Sequence, residues 1–243
     1  MSEETVEDAI LGGRLRLRQP ARGHRAGTDA VLLAAAIGLT EGMLVDAGAG
    51  VGAVGLAAAL RAPALRLTLI ERDSLTADLA RANVALNGLE ARAQVVEADL
   101  TQARARRAAG LTDGFADMVA TNPPWLAPGQ ARVSPNPRRA AAHAHEEGRG
   151  GLEAWMRAVA ALTRPGGRLA LIHRADHLGE ALGACEGRFG ALSVLPIHPR
   201  AGEPAHRIIV RGIKGSRAPL RILPGLMLHE GAKFTPLVCG ECE

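Results

Sequence analysis

The sequence predicts an α/β protein built on a mostly parallel sheet with helices on both faces. Short apolar segments with strand character alternate along the chain with helical segments, as is typical of parallel strands joined by crossover helices. A strand, a tight glycine turn and a helix also follow one another within residues 45–60. The 243 residues suit one large domain with a substantial core.

Residues 1–40 predict a short hairpin and helix that belong to the same globular unit. Residues 10–19 alternate apolar and basic side chains around a Gly-Gly pair, which indicates a hairpin. Thr28 or Asp29 is then expected to cap a helix that runs through the apolar stretch 30–38.

The rest of the chain predicts the main domain over 41–230 and a C-terminal tail over 231–243. Seven strands are expected, at 43–47, 66–71, 92–97, 116–121 and 168–174, and near 191–197 and 206–212. Helices are expected at 51–61, 74–87 and 151–163. Residues 126–150 predict a long polar loop, and loops of this length are usually functional or disordered.

Composition narrows the possible partners and the cellular compartment. The formal net charge of +4 comes from arginine, since Lys214 and Lys233 are the only lysines. This positive balance permits an anionic partner. Three cysteines and the lack of an apolar run of membrane-spanning length predict a reduced, cytoplasmic protein with no membrane association.

The stretch VDAGAGVGAVGLAAAL (45–60) carries the first candidate site. Gly48, Gly50 and Gly52 let the backbone approach a ligand closely at the carboxyl end of the first strand, where open sheets bind small molecules. Asp46 at the end of that strand would repel a pyrophosphate and favours a cationic ligand. A plain strand-to-helix turn is the alternative. The pattern resembles the nucleotide loop of class I methyltransferases that use S-adenosylmethionine (SAM), which carries an ammonium and a sulfonium.

Five further polar residues are expected at the cofactor, and one of them, Asn122, also belongs to the second candidate site. Glu71 ends the second strand, so its carboxylate is expected to bind both ribose hydroxyls, although a solvated strand-end charge is the alternative. Asp99 follows the third strand and is expected to accept the adenine amine, with helix capping an equal alternative. Thr28 and Asp29 are expected near the methionine end, and the capping role explains them nearly as well.

A second candidate site lies in the sequence TNPPW, where the fourth strand ends. Pro123 and Pro124 stiffen the backbone, so this segment must leave the sheet as a rigid loop. The side-chain oxygen of Asn122 and the carbonyl of Pro123 are then expected to accept both N–H bonds of a planar amine beside the cofactor, which turns the nitrogen lone pair toward the methyl group. Trp125 offers a face on which the target can stack. A proline-rich strand exit with a core tryptophan is the alternative.

Together with residues 46–52, this motif resembles the Asn-Pro-Pro-aromatic signature of amino-group methyltransferases. The whole chain is similar to the bacterial tRNA adenine-N6 methyltransferases that modify valine tRNA beside its anticodon. The similarity includes GHRAGTDAVLLAAA (23–36) and LEAWMRAVAALTRPGGRLALIH (152–173). Trp125 departs from the commoner Tyr or Phe of that family, and the chain after Ile213 adds nothing to the resemblance. The resemblance implies a Rossmann-like seven-stranded fold and methyl transfer from SAM to the N6 amine of an adenine in tRNA.

Binding of an RNA substrate is expected to involve two arginine-rich segments, although ordinary solvated arginines are nearly as good an explanation. These arginines are Arg14, Arg16, Arg18, Arg22 and Arg25 in the N-terminal segment, and Arg132, Arg138 and Arg139 in the 126–150 loop. Three rival functions stay open: a protein-(glutamine-N5) methyltransferase of the release-factor type, another methyltransferase acting on amino groups of rRNA or DNA, and a non-catalytic RNA-binding module.

The remaining candidate ligands predict no metal site. His143 and His145 lie close to the TNPPW motif in sequence and are expected to be exposed loop side chains rather than part of a base pocket. Cys239 and Cys242 form a lone C-x-x-C, whereas a structural zinc needs four ligands.

Overall fold

The computed structural model describes residues 4–21, 25–124, 151–230 and 233–234. Within these residues the chain begins with an antiparallel hairpin, followed by one short helix. These elements are β1 (Thr5–Ile10), β2 (Leu15–Pro20) and α1 (Thr28–Ala35).

Strands and helices alternate through the main part of the chain. The strands are β3 (Glu41–Ala47), β4 (Ala64–Glu71), β5 (Ala93–Glu97), β6 (Ala116–Thr121), β7 (Thr163–Arg174), β8 (Phe189–His198), β9 (Arg207–Lys214) and four two-residue strands, β10 (Arg221–Ile222), β11 (Leu226–Met227), β12 (His229–Glu230) and β13 (Lys233–Phe234). The helices are α2 (Ala53–Arg61), α3 (Ser74–Leu86), α4 (Ala103–Ala108), α5 (Gly151–Leu162) and α6 (Leu178–Cys185).

The central sheet confirms the predicted fold class. Its order within the described residues is β10-β8-β9-β7-β6-β3-β4-β5, with β11 also paired to β8. Only β9 runs antiparallel to its neighbours there. All seven predicted strands are present, and β10 and β11 extend the edge beside β8. Because β3, β4 and β6 are adjacent and parallel, the segments that leave them meet at one edge of the sheet.

Apolar side chains fill both faces of this sheet. The hairpin, α1, α2 and α3 cover one face, with Leu17, Leu33 and Leu56 fully buried. The helices α5 and α6 cover the other face, where Met156 and Val119 are fully buried. Helices therefore cover both faces of the sheet, with an apolar core on each side. The glycine turn and the Asn-Pro-Pro segment leave the strands at their carboxyl ends.

Two asparagines attach the hairpin to α3. The Asn83 carboxamide accepts the Arg18 N–H at 2.7 Å and donates to the Arg18 carbonyl at 3.0 Å. Asn87, one helical turn later, makes the same pair of hydrogen bonds with Arg16 at 3.1 and 2.8 Å. The two side chains thus satisfy the edge of β2 as a neighbouring strand would. Asn83 also donates to the Val51 carbonyl at 3.0 Å, which links the hairpin to the glycine turn.

Two local predictions for the N-terminal region were wrong. The hairpin begins at Thr5 rather than at residue 10, because the acidic segment TVEDAI forms its first strand. The N-cap of α1 is Gly27 with no side-chain cap bond, so neither Thr28 nor Asp29 caps this helix. No helix among the described residues is both long and apolar enough to span a bilayer.

Candidate active site

Three predicted site segments meet at the carboxyl edge of the sheet. The strand register pairs Ala47 with Ile70 of β4 and with Thr121 of β6. The residues that follow these three, Gly48, Glu71 and Asn122, therefore leave adjacent strands at the same level. The glycine turn, the predicted ribose acid and the Asn-Pro-Pro segment come together as expected for open α/β sheets.

The glycine turn has the backbone shape that glycine permits. Gly48, Gly50 and Gly52 have φ values of +73°, +56° and +90°, all in the left-handed region. The N–H groups of Gly48 and Ala49 both donate to the Ile70 carbonyl at 2.9 Å, so the turn is fixed to β4. A Cβ at Gly52 would lie 2.9 Å from the Leu69 side chain, whereas one at Gly50 would meet no atom within 4 Å. The space over Gly50 is therefore open, as a close-fitting ligand requires.

Glu71 is held against this open part of the turn. Its Oε2 accepts the Gly50 N–H at 2.9 Å, and its Oε1 accepts the N–H groups of Arg72 and Asp73 at 2.8 and 2.9 Å. Three backbone donors thus orient a carboxylate that is half-buried. This position suits the predicted contact with the ribose hydroxyls, which stays a prediction.

Asp46 lies beneath the turn rather than at its surface. Its side chain is 2% exposed, and its Oδ2 accepts the Gly55 N–H at 2.8 Å in the first turn of α2. Burial raises the pKa of Asp46 to about 7, the Gly55 hydrogen bond opposes this rise, and the charge of Glu71 adds to it. Asp46 therefore supports the start of α2, and its effect on a cationic ligand stays a prediction.

Asp99 makes the contacts of a local turn. Its Oδ1 accepts the Thr101 N–H and hydroxyl at 2.9 and 2.6 Å, and its Oδ2 accepts from the Gln102 side chain at 2.6 Å. Burial opposes ionisation, but these hydrogen bonds outweigh it and lower the pKa of Asp99. Asp99 does not cap the helix that follows, whose N-cap is Gln102, so the capping alternative was wrong. The adenine contact stays a prediction.

Asp29 is paired across the fold with the start of β9. The Arg207 Nε lies 3.1 and 3.0 Å from the two carboxylate oxygens of Asp29. Thr28, the first residue of α1, is half-buried beside it. In the strand register, Arg207 lies opposite Arg174, the last residue of β7. The ion pair of Asp29 with Arg207 therefore lies at the same sheet edge as the glycine turn. A contact of Thr28 and Asp29 with the methionine end stays a prediction.

Asn122 has an unused hydrogen-bond acceptor. Residues 122–124 leave β6 outside regular secondary structure, with Pro123 buried and Pro124 exposed. The Asn122 Oδ1 is buried and has no hydrogen-bond partner among the described residues. Leaving such an acceptor unpaired costs about 1–3 kcal/mol, so this site favours a ligand that brings an N–H group. Trp125 lies outside the described residues.

Trp155 is a residue of this edge that the sequence did not reveal. Its indole ring atoms Cη2 and Cζ2 lie 2.8 Å from where a Cβ at Gly48 would stand. Its Nε1 donates to the Thr121 hydroxyl at 2.9 Å, and that hydroxyl donates to the Ala47 carbonyl at 2.8 Å. The amphipathic pattern of α5 predicted only a core helix, and nothing in it indicates contact with segments that lie far away in sequence.

The predicted arginine-rich hairpin is largely charge-balanced. Arg16 lies 2.5 Å and Arg18 3.7 Å from Glu7 of β1, and Arg25 lies 2.5 Å from Asp8. The acidic residues of the first strand therefore offset the positive charge that was expected to bind RNA. Arg22, Arg132, Arg138 and Arg139 lie outside the described residues.

The remaining candidate metal ligands also lie outside the described residues. His143, His145, Cys239 and Cys242 are not among the described residues. Within the part of the chain that the structure describes, no three or more His, Cys, Asp or Glu side chains are grouped to hold a metal ion.

The strand order, the glycine turn and the Asn-Pro-Pro exit define the fold class of this protein, which is that of the class I methyltransferases. Residues 26–150, just over half of the chain, match the model of the methyltransferase small domain family. The chain belongs to that family.

Three similar proteins show how far the likeness reaches. A tRNA1(Val) (adenine(37)-N6)-methyltransferase from Porphyromonas gingivalis is 34% identical, covering 63% of this chain and 60% of the relative. A 4-amino-L-phenylalanine/4-methylamino-L-phenylalanine methyltransferase from Streptomyces pristinaespiralis is 34% identical, covering 65% of this chain and 53% of the relative. A solved structure described as a predicted O-methyltransferase from Agrobacterium tumefaciens is 37% identical, with a TM-score of 0.73, covering 88% of this chain and 95% of that chain.

Proposed function

We propose that this protein transfers a methyl group from SAM to a planar, conjugated amino group, and that its substrate is the N6 amine of an adenine in tRNA. The observation that carries the proposal is the buried, unpartnered oxygen of Asn122 at the same sheet edge as the open glycine turn. An acceptor of this kind suits an NH2 group. A hydroxyl can donate to the same oxygen, but a carboxamide is too weakly basic to remove the proton that a hydroxyl must lose.

The described residues fit the cofactor at the glycine turn. The open space over Gly50 admits the cofactor close to the backbone, and the oriented carboxylate of Glu71 stands beside it. When bound, SAM supplies an electrophilic methyl group on a sulfonium. Gly48 and Gly52 are closed by neighbouring side chains, so Gly50 is the position at which the ligand approaches the turn.

Asn122 and Pro123 orient the target amine. The lone pair of such an amine is delocalised into its π system, which makes the nitrogen a poor nucleophile. Acceptance of one N–H by the Asn122 Oδ1 and of the other by the Pro123 carbonyl favours a tetrahedral nitrogen whose lone pair points at the methyl carbon. The nitrogen gains the methyl as the carbon–sulfur bond breaks, sulfur keeps the bonding electrons, and one N–H proton then passes to solvent. The prolines keep both acceptors in place beforehand.

The names of relatives support a conjugated amine and favour tRNA within that class. They specify adenine N6, 4-amino-phenylalanine and, for a relative 34% identical over 34% of this chain, a release-factor glutamine. All three contain an NH2 group attached to an sp2 carbon. Adenine in tRNA is the choice that agrees with both the Porphyromonas gingivalis relative and the resemblance across 23–36 and 152–173.

Three exposed arginines on the sheet support an RNA contact. In the strand register, Arg211 of β9 lies opposite Ser193 of β8, and Ser193 also lies opposite Arg221 of β10. On its other side, Arg211 lies opposite Ala170 of β7, and Arg168 precedes Ala170 by two residues. Paired residues point to the same face of a sheet. None of these three arginines has an acidic partner among the described residues. We assign them to phosphates of the substrate, in place of the charge-balanced hairpin.

Labelled methyl transfer tests this proposal. The protein is incubated with tritiated SAM and, separately, with bacterial tRNA, DNA, a release factor and 4-aminophenylalanine, and the labelled product is identified by mass spectrometry. We expect label in tRNA as N6-methyladenosine. Label only in another substrate would overturn the tRNA assignment but keep the amine chemistry. Absence of label in every substrate, or transfer to a hydroxyl, would overturn the proposed activity. The Asn122→Ala variant in parallel excludes a contaminating enzyme.

A further inference from the structure

We propose that Trp155 is a positioning residue, which sets the distance between the Asn122 acceptor and the glycine turn that receives the methyl donor. The inference rests on the proposed function. Trp155 lies on α5, outside both predicted motifs, and nothing in its local sequence assigns it a role.

The first observation is a chain of two hydrogen bonds. The indole Nε1 of Trp155 donates to the Thr121 hydroxyl, and that hydroxyl donates to the Ala47 carbonyl. Thr121 is fully buried, so solvent cannot replace either bond. A threonine hydroxyl has one proton to donate, and here its direction is set from both sides. Thr121 immediately precedes Asn122, so the orientation of β6 at its last residue is carried directly into the acceptor.

The second observation is the contact of the indole ring with the turn. The ring lies so close to Gly48 that a Cβ there would stand 2.8 Å from two ring atoms. Gly48 itself is bonded to β4 through the Ile70 carbonyl. One side chain therefore contacts the segment after β3 through its ring and, through its N–H, the last residue of β6, which directly precedes Asn122. These are the two segments that must be aligned for methyl transfer.

A purely apolar core role does not explain this arrangement. Trp155 is only half-buried and packs at the rim of the core cluster around Met156 and Val159. An apolar side chain would fill the rim as well without a polar partner at Thr121. Placing a buried hydroxyl in β6 is costly unless it is hydrogen-bonded. One of its bonds joins β6 to the Ala47 carbonyl at the end of β3, and the other joins β6 to Trp155.

The expected consequence is a loss of turnover rather than of cofactor binding. Trp155→Phe keeps an aromatic ring at this position of α5 but removes the N–H donor, so Thr121 is released on one side. A misplacement of about 1 Å at the reacting atoms costs about 100-fold in rate. We therefore expect Trp155→Phe and Thr121→Val each to lower kcat roughly 10- to 100-fold, with SAM affinity within about threefold of the unsubstituted protein, since Gly50 and Glu71 are unchanged.

A double-mutant cycle tests the coupling. If the hydrogen bond is the cause, Trp155→Phe lowers kcat much less in the Thr121→Val background than alone, and Thr121→Ser restores most of the turnover. Thr163→Val is the matched control. Thr163 is also fully buried and its hydroxyl donates to the Val159 carbonyl at 2.8 Å, but it lies at the opposite edge of the sheet. We expect this control to lower stability without lowering kcat at a temperature where it is folded.

The outcomes separate the two proposals. Additive losses, an unchanged kcat in Trp155→Phe, or an equal loss of kcat in Thr163→Val would overturn the positioning role while the methyl transfer itself stands. No transfer by the unsubstituted protein would overturn the proposed function, and the role of Trp155 with it. The contact itself is read independently of activity from the indole N–H signal of Trp155 by NMR, which is expected to lose its protection from hydrogen exchange in Thr121→Val and to keep it in Thr163→Val.

Discussion

The two segments that meet at the carboxyl edge of the sheet differ in how their polar groups are satisfied. In the glycine turn after β3, the N–H groups of Gly48, Ala49 and Gly50 all have partners on β4. In the exit after β6, the buried Oδ1 of Asn122 has none among the described residues. The turn is thus complete within the protein, whereas the exit becomes complete only when a donor arrives. This contrast supports the proposal that the turn contributes shape for the cofactor and that Asn122 contributes chemistry to the transfer.

The largest effect is expected from removing the unpartnered acceptor. Asn122→Ala should lower kcat on the order of 100- to 1,000-fold, because one preorganised polar group opposite the developing charge is lost. Affinity for SAM, measured by calorimetry, should barely change. Asn87→Ala is the control, since Asn87 is also half-buried but its carboxamide is already bonded to Arg16. If cofactor affinity falls together with kcat, Asn122 is part of the cofactor site instead.

Filling the open space over Gly50 should weaken binding of the cofactor. Asn tolerates a left-handed backbone, so Gly50→Asn places a side chain where the cofactor approaches without severe strain. We expect binding of SAM to weaken by about 1–3 kcal/mol, roughly 5- to 150-fold. Gly88→Asn is matched in backbone, with φ of +64° and nothing within 4 Å of a Cβ, but it lies at the end of α3. Equal cofactor affinity in both variants would contradict the assignment of the turn.

The comparison extends to the substrate through two sets of arginines, one without an acidic partner among the described residues and one paired with acids of β1. Replacing Arg168, Arg211 and Arg221 by Gln should raise the KM for tRNA about tenfold and reduce the slope of log affinity against log salt by about 2, since each phosphate contact contributes about 0.7–0.9. The same change at Arg16, Arg18 and Arg25 should reduce the slope less, because Glu7 and Asp8 offset these charges. Binding measured over a salt series decides between the two sets. A larger effect from the hairpin set would return the RNA contact to the N-terminal segment.

The last effect is on stability rather than on activity, and it concerns the carboxyl group beneath the turn. The pKa of Asp46 is raised to about 7, above its value in the unfolded chain, so the folded state holds a proton that the unfolded state has lost between about pH 4 and pH 7. The contribution of Asp46 to the free energy of unfolding therefore falls as pH rises through this window. Asp46→Asn should gain stability relative to the natural chain from pH 5 to pH 7, by at most about 1.4 kcal/mol per pH unit. Denaturant titrations with a constant difference across this range would show that Asp46 is ionised throughout.

The sequence predicted the parts of the fold that local pattern determines. Alternating strand and helix signals located all seven main strands, and the left-handed positions at Gly48, Gly50 and Gly52 followed from their residue type. The short helices α4 and α6 were missed because segments of six and eight residues carry few turns of amphipathic pattern. The β1 strand was missed because two adjacent acidic residues, Glu7 and Asp8, interrupt the apolar alternation that predicts a strand.

Contacts between distant segments could not be predicted in the same way. The position of Trp155 over Gly48, the pairing of Asn83 with β2 and the ion pair of Asp29 with Arg207 all depend on how the helices pack. Asp46 was expected to face a ligand, yet its carboxylate turns to the Gly55 N–H because α2 begins directly above the strand. Residue type and spacing located the candidate site, and packing determined which side chains reach it.

The proposed function depends most directly on a hydrogen bond from the target amine to the Asn122 oxygen. A crystal structure of the protein with S-adenosylhomocysteine and an adenine-containing anticodon stem-loop measures that distance directly. We expect the Asn122 Oδ1 to lie about 2.7–3.2 Å from the target nitrogen, with the Pro123 carbonyl at a similar distance. An Asn122 side chain bonded only to protein groups, with the amine more than about 4 Å away, would contradict it.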